Sequence, residues 1–223
     1  MAISFPREMP NVGVITQGFD PRRVDYQSPN VDGMVASVTA GAPLWATSVN
    51  FGDTDEEEFA IWRAFIDSLR GAQRPFYCGD LSRPYPRAYV GGFTGMTRAG
   101  GGAFAGAASS WTVNADRDTV TLNGLPASFK LGIGDYIMWR WVTGGEQRRA
   151  LGRAIEDVTG SNGGSLSIAF EIPLPTLVPA GAVADLANPK CIMKQRTEET
   201  KVGEIDALHE GRGTFVAVQD LRI

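Results

Sequence analysis

Four acidic residues stand next to one another in the stretch GDTDEEEFAIWRAFIDSLRG, from Asp55 to Glu58. Clustered carboxylates can bind a metal ion or serve as a general acid and base. However, the run lacks the alternating ligands, with glycine at the sixth position, that a calcium-binding loop needs. The apolar residues that follow recur at three- and four-residue spacing, which predicts an amphipathic helix over 54–71.

The predicted helix explains the acidic run without a metal-binding or catalytic role. Its predicted buried face consists of Phe59, Trp62, Phe65, Ile66 and Leu69. Thr54 is the expected N-cap, with Glu57 completing a capping box, and Gly71 is the expected left-handed residue at the end. The carboxylates then lie at the positive end of the helix dipole, where negative charge is stabilising. The acidic run is therefore interpreted as a helix start.

Other residue patterns that support catalysis are missing from the sequence. His209 is the one histidine, so serine or cysteine catalysis would depend on this residue as its base. The cysteines and the histidine do not cluster as zinc ligands do, and the glycine-rich AGGGAFAG lacks the end of a phosphate-binding loop. We therefore predict no catalytic residues, no cofactor and no metal.

Cys78 and Cys191 are predicted to be reduced thiols in a protein assembled inside a cell, with a single bridge as the alternative.

Composition restricts the possible partners. The 223-residue chain has a net charge of −4, so it has no basic excess for specific nucleic-acid binding. No apolar run approaches the length of a membrane span, and the N-terminus does not resemble a signal peptide. Arginine outnumbers lysine by 17 to 4. Arginine is enriched at protein interfaces, although a GC-rich coding sequence would give the same bias.

Outside the helix, the sequence consists of short strands separated by turn residues. The predicted strands are 44–51, 135–142, 150–158, 165–172 and 213–221, with a hairpin turn over 143–149. Regular strand spacing of this kind favours sandwiches or barrels. We predict a mainly β protein with one α-helix, made of a discontinuous N-terminal β-sandwich-like domain and an inserted small, OB-like β-barrel.

Two breaks in composition place the domain boundaries. Residues 91–110 are rich in Gly, Ala and Ser, which indicates a junction or a mobile surface loop, and "ANPKC" marks a second break at 187–191. The predicted insert is 94–187, and residues 1–93 plus 188–223 form the first domain. Two strands after the insert are too few for a sheet, so the last strand, around Phe215, is expected to pair with N-terminal strands.

Three motifs in order resemble the distal tail proteins of long-tailed, siphovirus-like bacteriophages and gene transfer agents. They are WRAFIDSLRGAQRPFYCGDLSRPYPRAY (62–89), LPASFKLGIGDYIMWRW (125–141) and IPLPTLVPAGAVADLANPKCIMK (172–194). The resemblance implies a structural baseplate protein that forms a ring, typically hexameric, at the tip of the tail tube. Its expected partners are other copies of itself, the tail tube protein, the tail hub protein, and tail fibres or host saccharide. It would be assembled in the bacterial host cytoplasm and reside at the virion tail tip.

Arginines beside aromatic residues are the predicted contacts of such a ring, because both residue types are enriched at interfaces. The candidates are Arg70, Arg74, Arg83, Arg87, Tyr85 and Tyr89.

Two other functions stay open. A carbohydrate-binding module would use exposed Trp111, Trp139 or Trp141 as stacking surfaces. A glycoside hydrolase would need a pair of carboxylates about 5–9 Å apart in a cleft.

Overall fold

The computed structural model describes residues 4–29, 35–205 and 211–221. Over this part of the chain the protein is mainly β, with one α-helix at Glu56–Leu69 and a short 3₁₀ helix at Arg87–Tyr89. The prediction of a mainly β fold with a single α-helix is therefore confirmed. The β-sandwich and the OB-like barrel stay predictions.

The strands are numbered in chain order. They are β1 (Arg7–Glu8), β2 (Val14–Arg22), β3 (Asp25–Pro29), β4 (Val35–Thr39), β5 (Leu44–Thr54), β6 (Phe76–Cys78), β7 (Ser110–Val113), β8 (Thr119–Asn123), β9 (Lys130–Leu131), β10 (Tyr136–Thr143), β11 (Glu146–Ala154), β12 (Val158–Thr159), β13 (Leu166–Glu171), β14 (Val183–Asp185), β15 (Cys191–Gln195), β16 (Lys201–Ile205) and β17 (Gly211–Gln219). All five predicted strands overlap an observed one. The helix is α1.

The chain divides into two compact units. Unit 1 comprises residues 1–11, 74–193 and 220–223, and unit 2 comprises residues 12–73 and 194–219. Both are discontinuous. The divisions lie elsewhere than predicted, because 74–93 and 188–193 belong with the segment 94–187. The physical reason is that Tyr85, Tyr89 and Phe93 pack on the hydrophobic core formed by that segment.

Unit 2 is built on an antiparallel sheet in which β17 pairs with β16 and β5, and β5 pairs with β2. Phe215 of β17 lies opposite Val49 of β5, so the expected pairing of the last strand with an N-terminal strand is observed. Strand β2 was not predicted, because Gly and Pro interrupt its alternation. Its Phe19 is nevertheless buried and stacks on Trp45, with ring centroids 5.2 Å apart.

Helix α1 packs its apolar face onto this sheet. The five residues predicted to be buried, Phe59, Trp62, Phe65, Ile66 and Leu69, are all buried. Trp62 stacks on Phe51 of β5 with ring centroids 4.5 Å apart, and Phe65 meets Phe215 edge-on at 5.6 Å. The indole Nε1 of Trp62 donates a hydrogen bond to the carbonyl of Val12 at 2.8 Å. The helix therefore forms one core with β5 and β17.

The helix ends differ from the prediction by one or two residues. Asp55, and not Thr54, is the N-cap, and its carboxylate accepts a hydrogen bond from the backbone N–H of Glu58 at 2.8 Å. Asp and Asn cap helices as well as Ser does, and better than Thr. At the other end, Arg70 is the left-handed C-cap (φ 51°), followed by Gly71 at φ 66°. The interpretation of the acidic run as a helix start is confirmed, because Glu56, Glu57 and Glu58 form the first turn.

Unit 1 contains a six-stranded sheet in the order β14-β10-β11-β13-β8-β7. Trp139, Ile168 and Phe170 are among the core residues that this sheet buries. The turn between β10 and β11 contains only Gly144 and Gly145, both at positive φ, with Thr143 opposite Glu146. The predicted turn over 143–149 was too long, because two glycines suffice for the tight hairpin that matches strand twist.

The glycine-rich stretch is packed against unit 1 through its aromatic residues. Phe93 and Phe104 are buried in the core and meet at 5.0 Å. Between them the chain turns back on itself, with Phe104 N donating to the carbonyl of Met96. The Arg98 guanidinium donates to the carbonyls of Ala107 and Gly124, which ties the loop to β8. This stretch lies within one unit and is not a junction between units.

Candidate assembly surfaces

Unit 2 carries a two-stranded hairpin, β3–β4, whose side chains are exposed throughout residues 24–28 and 35–40. Tyr26 lies opposite Val38, and Ser28 lies opposite Ala36. Directly paired residues share one face of a sheet and alternate with the other face. Val24, whose carbonyl accepts a hydrogen bond from Ala40 N, continues this first face.

The hairpin is amphipathic. Its first face presents Val24, Tyr26 and Val38, whose exposures are 49%, 69% and 68%. The second face carries the pairs Asp25–Thr39, Gln27–Ser37 and Pro29–Val35, so it is polar except at one end, where Val35 is 61% exposed. Since these residues are exposed, the described part of the chain does not cover the apolar face. We refer to Val24, Tyr26, Ala36 and Val38 as the hairpin face.

The sequence predictions overlooked this hairpin. Its signals are the alternation in VDYQS (24–28), where Val24 and Tyr26 are two residues apart, and the β-branched residues in VASVT (35–39). Both signals are short, and only the register places Tyr26 and Val38 on one face. Pattern reading could have identified the strands but not their shared face.

A second surface comprises residues 80–93 of unit 1, termed the aromatic–arginine segment. Tyr89 stacks on Phe129 with ring centroids 4.5 Å apart, and its hydroxyl accepts a hydrogen bond from Lys130 N at 2.9 Å. Tyr85 meets Phe93 edge-on at 5.4 Å. Both tyrosines, predicted as interface residues, are half-buried against their own unit.

Asp135 fixes the aromatic–arginine segment by its carboxylate, which is 1% exposed. Oδ1 accepts hydrogen bonds from the Arg83 guanidinium at 3.3 Å and from the backbone N–H of Arg87 at 2.9 Å. Oδ2 accepts from Gly132 N at 2.7 Å. The Arg87 side chain extends outward to Asp157 at 3.7 Å, and both of these side chains are more than 60% exposed. Arg83 and Arg87 are therefore brought together by one buried carboxylate.

The remaining predicted arginines lie elsewhere. Arg74 of unit 1 places its guanidinium over the ring of Phe5, at 4.7 Å from the centroid. Arg70 is the exposed C-cap of α1 in unit 2. The structure thus assigns structural contacts to Arg74 and Arg83, whereas Arg70 and Arg87 present exposed side chains.

The tryptophans considered for saccharide stacking are largely buried. Trp139 is fully buried, Trp141 is 7% exposed, and the half-buried Trp111 donates its indole N–H to the carbonyl of Ala182 at 2.6 Å. Trp111 and Trp139 meet with ring centroids 6.0 Å apart. A stacking platform needs an open ring face, so this burial opposes a sugar-binding role for these residues.

The alternative function of a glycoside hydrolase requires a pair of carboxylates in a cleft. A cavity of about 420 Å³ in unit 1 is lined by two of them, Glu8 and Asp80. Glu8 forms an ion pair with Lys190 at 2.9 Å, and Asp80 accepts hydrogen bonds from Ser82 and from the Tyr136 hydroxyl. Both carboxylates therefore have structural partners. His209 lies outside the described residues.

Tyr136 has a perturbed pKa. Its burial raises the pKa of the phenol well above the ordinary value, and the neighbouring Asp80 carboxylate raises it further. The hydroxyl donates to Asp80 Oδ2 at 3.1 Å. This pair holds the start of the aromatic–arginine segment against β10.

Across 4–29, 35–205 and 211–221, no three His, Cys, Asp or Glu side chains lie close enough to hold a metal ion. In the same part of the chain, no helix has the length and apolarity to cross a bilayer.

Comparison with known proteins gives no assignment. The chain matches no protein-family model and no curated protein. Its membership of the distal tail proteins, indicated by three sequence motifs, therefore stays a prediction.

Proposed function

We propose that this protein is a structural subunit of a phage-type tail tip, which acts by closing into a ring with copies of itself. The observation that carries the proposal is the hairpin face, whose apolar residues are exposed on a two-stranded sheet. We propose that each hairpin packs this face onto the neighbouring copy.

The physical reason lies in the weakness of isolated hairpins. A two-stranded hairpin is marginally stable in water unless an additional surface covers one face. Fully burying a Val or similar side chain contributes about 1.5–3 kcal/mol. Covering Val24, Tyr26 and Val38 would thus contribute several kcal/mol to each subunit contact. A hairpin that meets a different patch on its neighbour makes a head-to-tail interface, and such interfaces generate closed rings when the rotation closes.

The motif resemblance supplies the biological setting of the proposed ring. We propose a hexamer at the tip of the tail tube, with the tube protein and the hub protein as further partners and fibres or host saccharide as peripheral ones. Subunits would assemble in the host cytoplasm and function in the virion. The net charge of −4 suits a ring whose channel passes DNA, because like charges repel.

The exposed arginines complete the proposed interface. Arg70 and Arg87 offer accessible guanidinium groups, and Arg87 is 62% exposed beside Asp157. Arg83 would contribute indirectly, since its bond to Asp135 holds the aromatic–arginine segment in place. Assembly, and not chemistry, is the proposed activity, in keeping with the structural contacts made by Glu8 and Asp80.

The experiment compares native assembly mass with and without the hairpin face. The test variant is Tyr26→Ser with Val38→Ser, and its matched control is Gln27→Ser with Thr39→Ser on the opposite face of the same hairpin. We expect rings from the wild type and the control, and monomers from the test variant, by native mass spectrometry and negative-stain imaging. Circular dichroism of the monomer should match that of the wild type, since the substituted side chains are exposed.

Two results would contradict the proposal. A wild-type chain that stayed monomeric when mixed with the tube and hub proteins would exclude ring formation. A test variant that assembled as well as the control would show that the contact lies outside the hairpin face, and the exposed Arg70 and Arg87 would be the next residues to change.

A further inference from the structure

The two cysteines of the chain face each other across neighbouring strands of unit 1. Cys78 ends β6 and Cys191 begins β15, and the two are direct partners in the antiparallel register. Both side chains are buried and both are present as thiols. They lie far apart in sequence, so only the fold brings them together.

This register suits a disulfide without any movement of the strands. Directly opposed residues of an antiparallel pair have Cα atoms about 4.5 or 5.5 Å apart, depending on their place in the ladder. A disulfide requires Cα atoms about 4.4–6.8 Å apart. Both kinds of pair therefore satisfy the backbone requirement, and rotation about the side-chain bonds is the adjustment needed.

Both thiols are buried, but only one of them lines a cavity. Cys78 lines the cavity of about 420 Å³, together with Met9, Tyr77 and Asn188. Cys191 does not line this cavity and is fully buried. Burial raises the pKa of the Cys191 thiol well above its ordinary value, and neighbouring Cys78 raises it further, against a smaller opposing effect of Arg149. A reagent that enters the cavity would therefore meet Cys78 first.

We propose that Cys78 and Cys191 form an oxidative modification site, at which a small-molecule disulfide cross-links β6 to β15. In the first step the Cys78 thiolate attacks one sulfur of the small disulfide, breaks its S–S bond and releases one small thiol. In the second step the Cys191 thiolate attacks the Cys78 sulfur of this mixed disulfide, and the second small thiol leaves. Overall, two protein thiols are oxidised to one disulfide and the small disulfide is reduced to two thiols.

The cross-link would tie together the two ends of the segment 79–190. That segment carries the hydrophobic core of unit 1, from Phe93 to Leu186. A covalent link across so long a segment restricts the unfolded chain strongly and so stabilises the folded unit. The proposed disulfide forms after the chain has folded and stabilises the folded unit. It is independent of ring formation and concerns unit 1, whereas the hairpin face belongs to unit 2.

The test begins with the folded, full-length wild-type chain incubated with oxidised glutathione. We expect non-reducing mass spectrometry to show the loss of two hydrogens, and peptide mapping to show Cys78 linked to Cys191 in the same chain. The midpoint of thermal unfolding should rise on oxidation and return to its starting value after treatment with a thiol reductant. A folded chain that keeps both thiols, or that links only between chains, would overturn the proposal.

Two single variants test the order of the steps. Cys191→Ser should stop at one glutathione bound to Cys78, because the second attacking thiol is gone. Cys78→Ser should stay unmodified while folded and should react at Cys191 in urea, where burial is lost. Modification of folded Cys78→Ser as fast as that of Cys191→Ser would refute the assigned roles. If either variant fails to fold, the wild-type mass and peptide map decide the proposal by themselves.

Discussion

Replacing Asp135 by Asn tests whether one buried carboxylate holds the aromatic–arginine segment on unit 1. The carboxylate accepts three hydrogen bonds, from Arg83, Arg87 N and Gly132 N, at 2.7–3.3 Å. An amide has one oxygen in place of two, so its NH₂ group must point at donors on one side. In either orientation at least one hydrogen bond is lost, and a donor faces another donor.

The magnitude follows from these contacts. A hydrogen bond to a charged group contributes about 1.5–3 kcal/mol, and a buried polar group left unsatisfied costs about 1–3 kcal/mol. Arg83 also loses its ion partner, but its side chain is 31% exposed, so water compensates in part. We therefore expect Asp135→Asn to lower the free energy of unfolding of unit 1 by about 3 kcal/mol.

The measurement is urea unfolding combined with hydrogen exchange, which reports on unit 1 separately. Protection should fall most in residues 80–93. The matched control is Asp157→Asn, whose carboxylate is 63% exposed and pairs with Arg87 at 3.7 Å. Because exposed ion pairs contribute about 0–1 kcal/mol, this control should stay near the wild type. If Asp135→Asn behaved like Asp157→Asn, the anchoring role of the buried carboxylate would be refuted.

Three further changes test the helix and the buried phenol. Trp62→Ala should lower the free energy of unfolding by about 3–5 kcal/mol in urea titrations, since it empties a core site, whereas Ile61→Ala on the exposed side should cost about 0.5 kcal/mol or less. Asp55→Ala should cost about 1 kcal/mol and leave assembly mass unchanged, because the residue caps the helix. The raised pKa of Tyr136 contributes stability that is fully present below the unfolded value of about 10 and is lost as pH rises further. Tyr136→Phe should therefore flatten the fall in urea midpoint measured above about pH 10, and an unchanged slope would exclude this group as its cause.

The sequence by itself determined the helix and some of the strands. Apolar spacing of three and four residues required helix α1 and selected its five buried residues, because this period places them on one side. Alternation identified β10, β13 and β17 in the same way. The N-cap lies one residue later than predicted, at Asp55, since Thr54 and Asp55 both qualify as caps by residue type alone.

Tertiary structure decided which distant residues meet. Pattern and propensity act over a few residues, whereas two of the three partners of Asp135 come from 48 and 52 residues away in the chain. The predicted arginines were therefore identified by type, but their division into anchoring and exposed groups required the fold. The same holds for the hairpin face, where strand register places Tyr26 beside Val38.

The two cysteines are the simplest example of what the sequence determined and what the tertiary structure decided. Their number and their wide spacing are properties of the sequence, and both fitted reduced thiols. The pairing of β6 with β15 makes Cys78 and Cys191 neighbours, because hydrogen bonding between strands is set by sheet topology and not by local sequence. Both thiols are buried, and the fact that Cys78 lines a cavity whereas Cys191 does not likewise depends on how the surrounding chain packs.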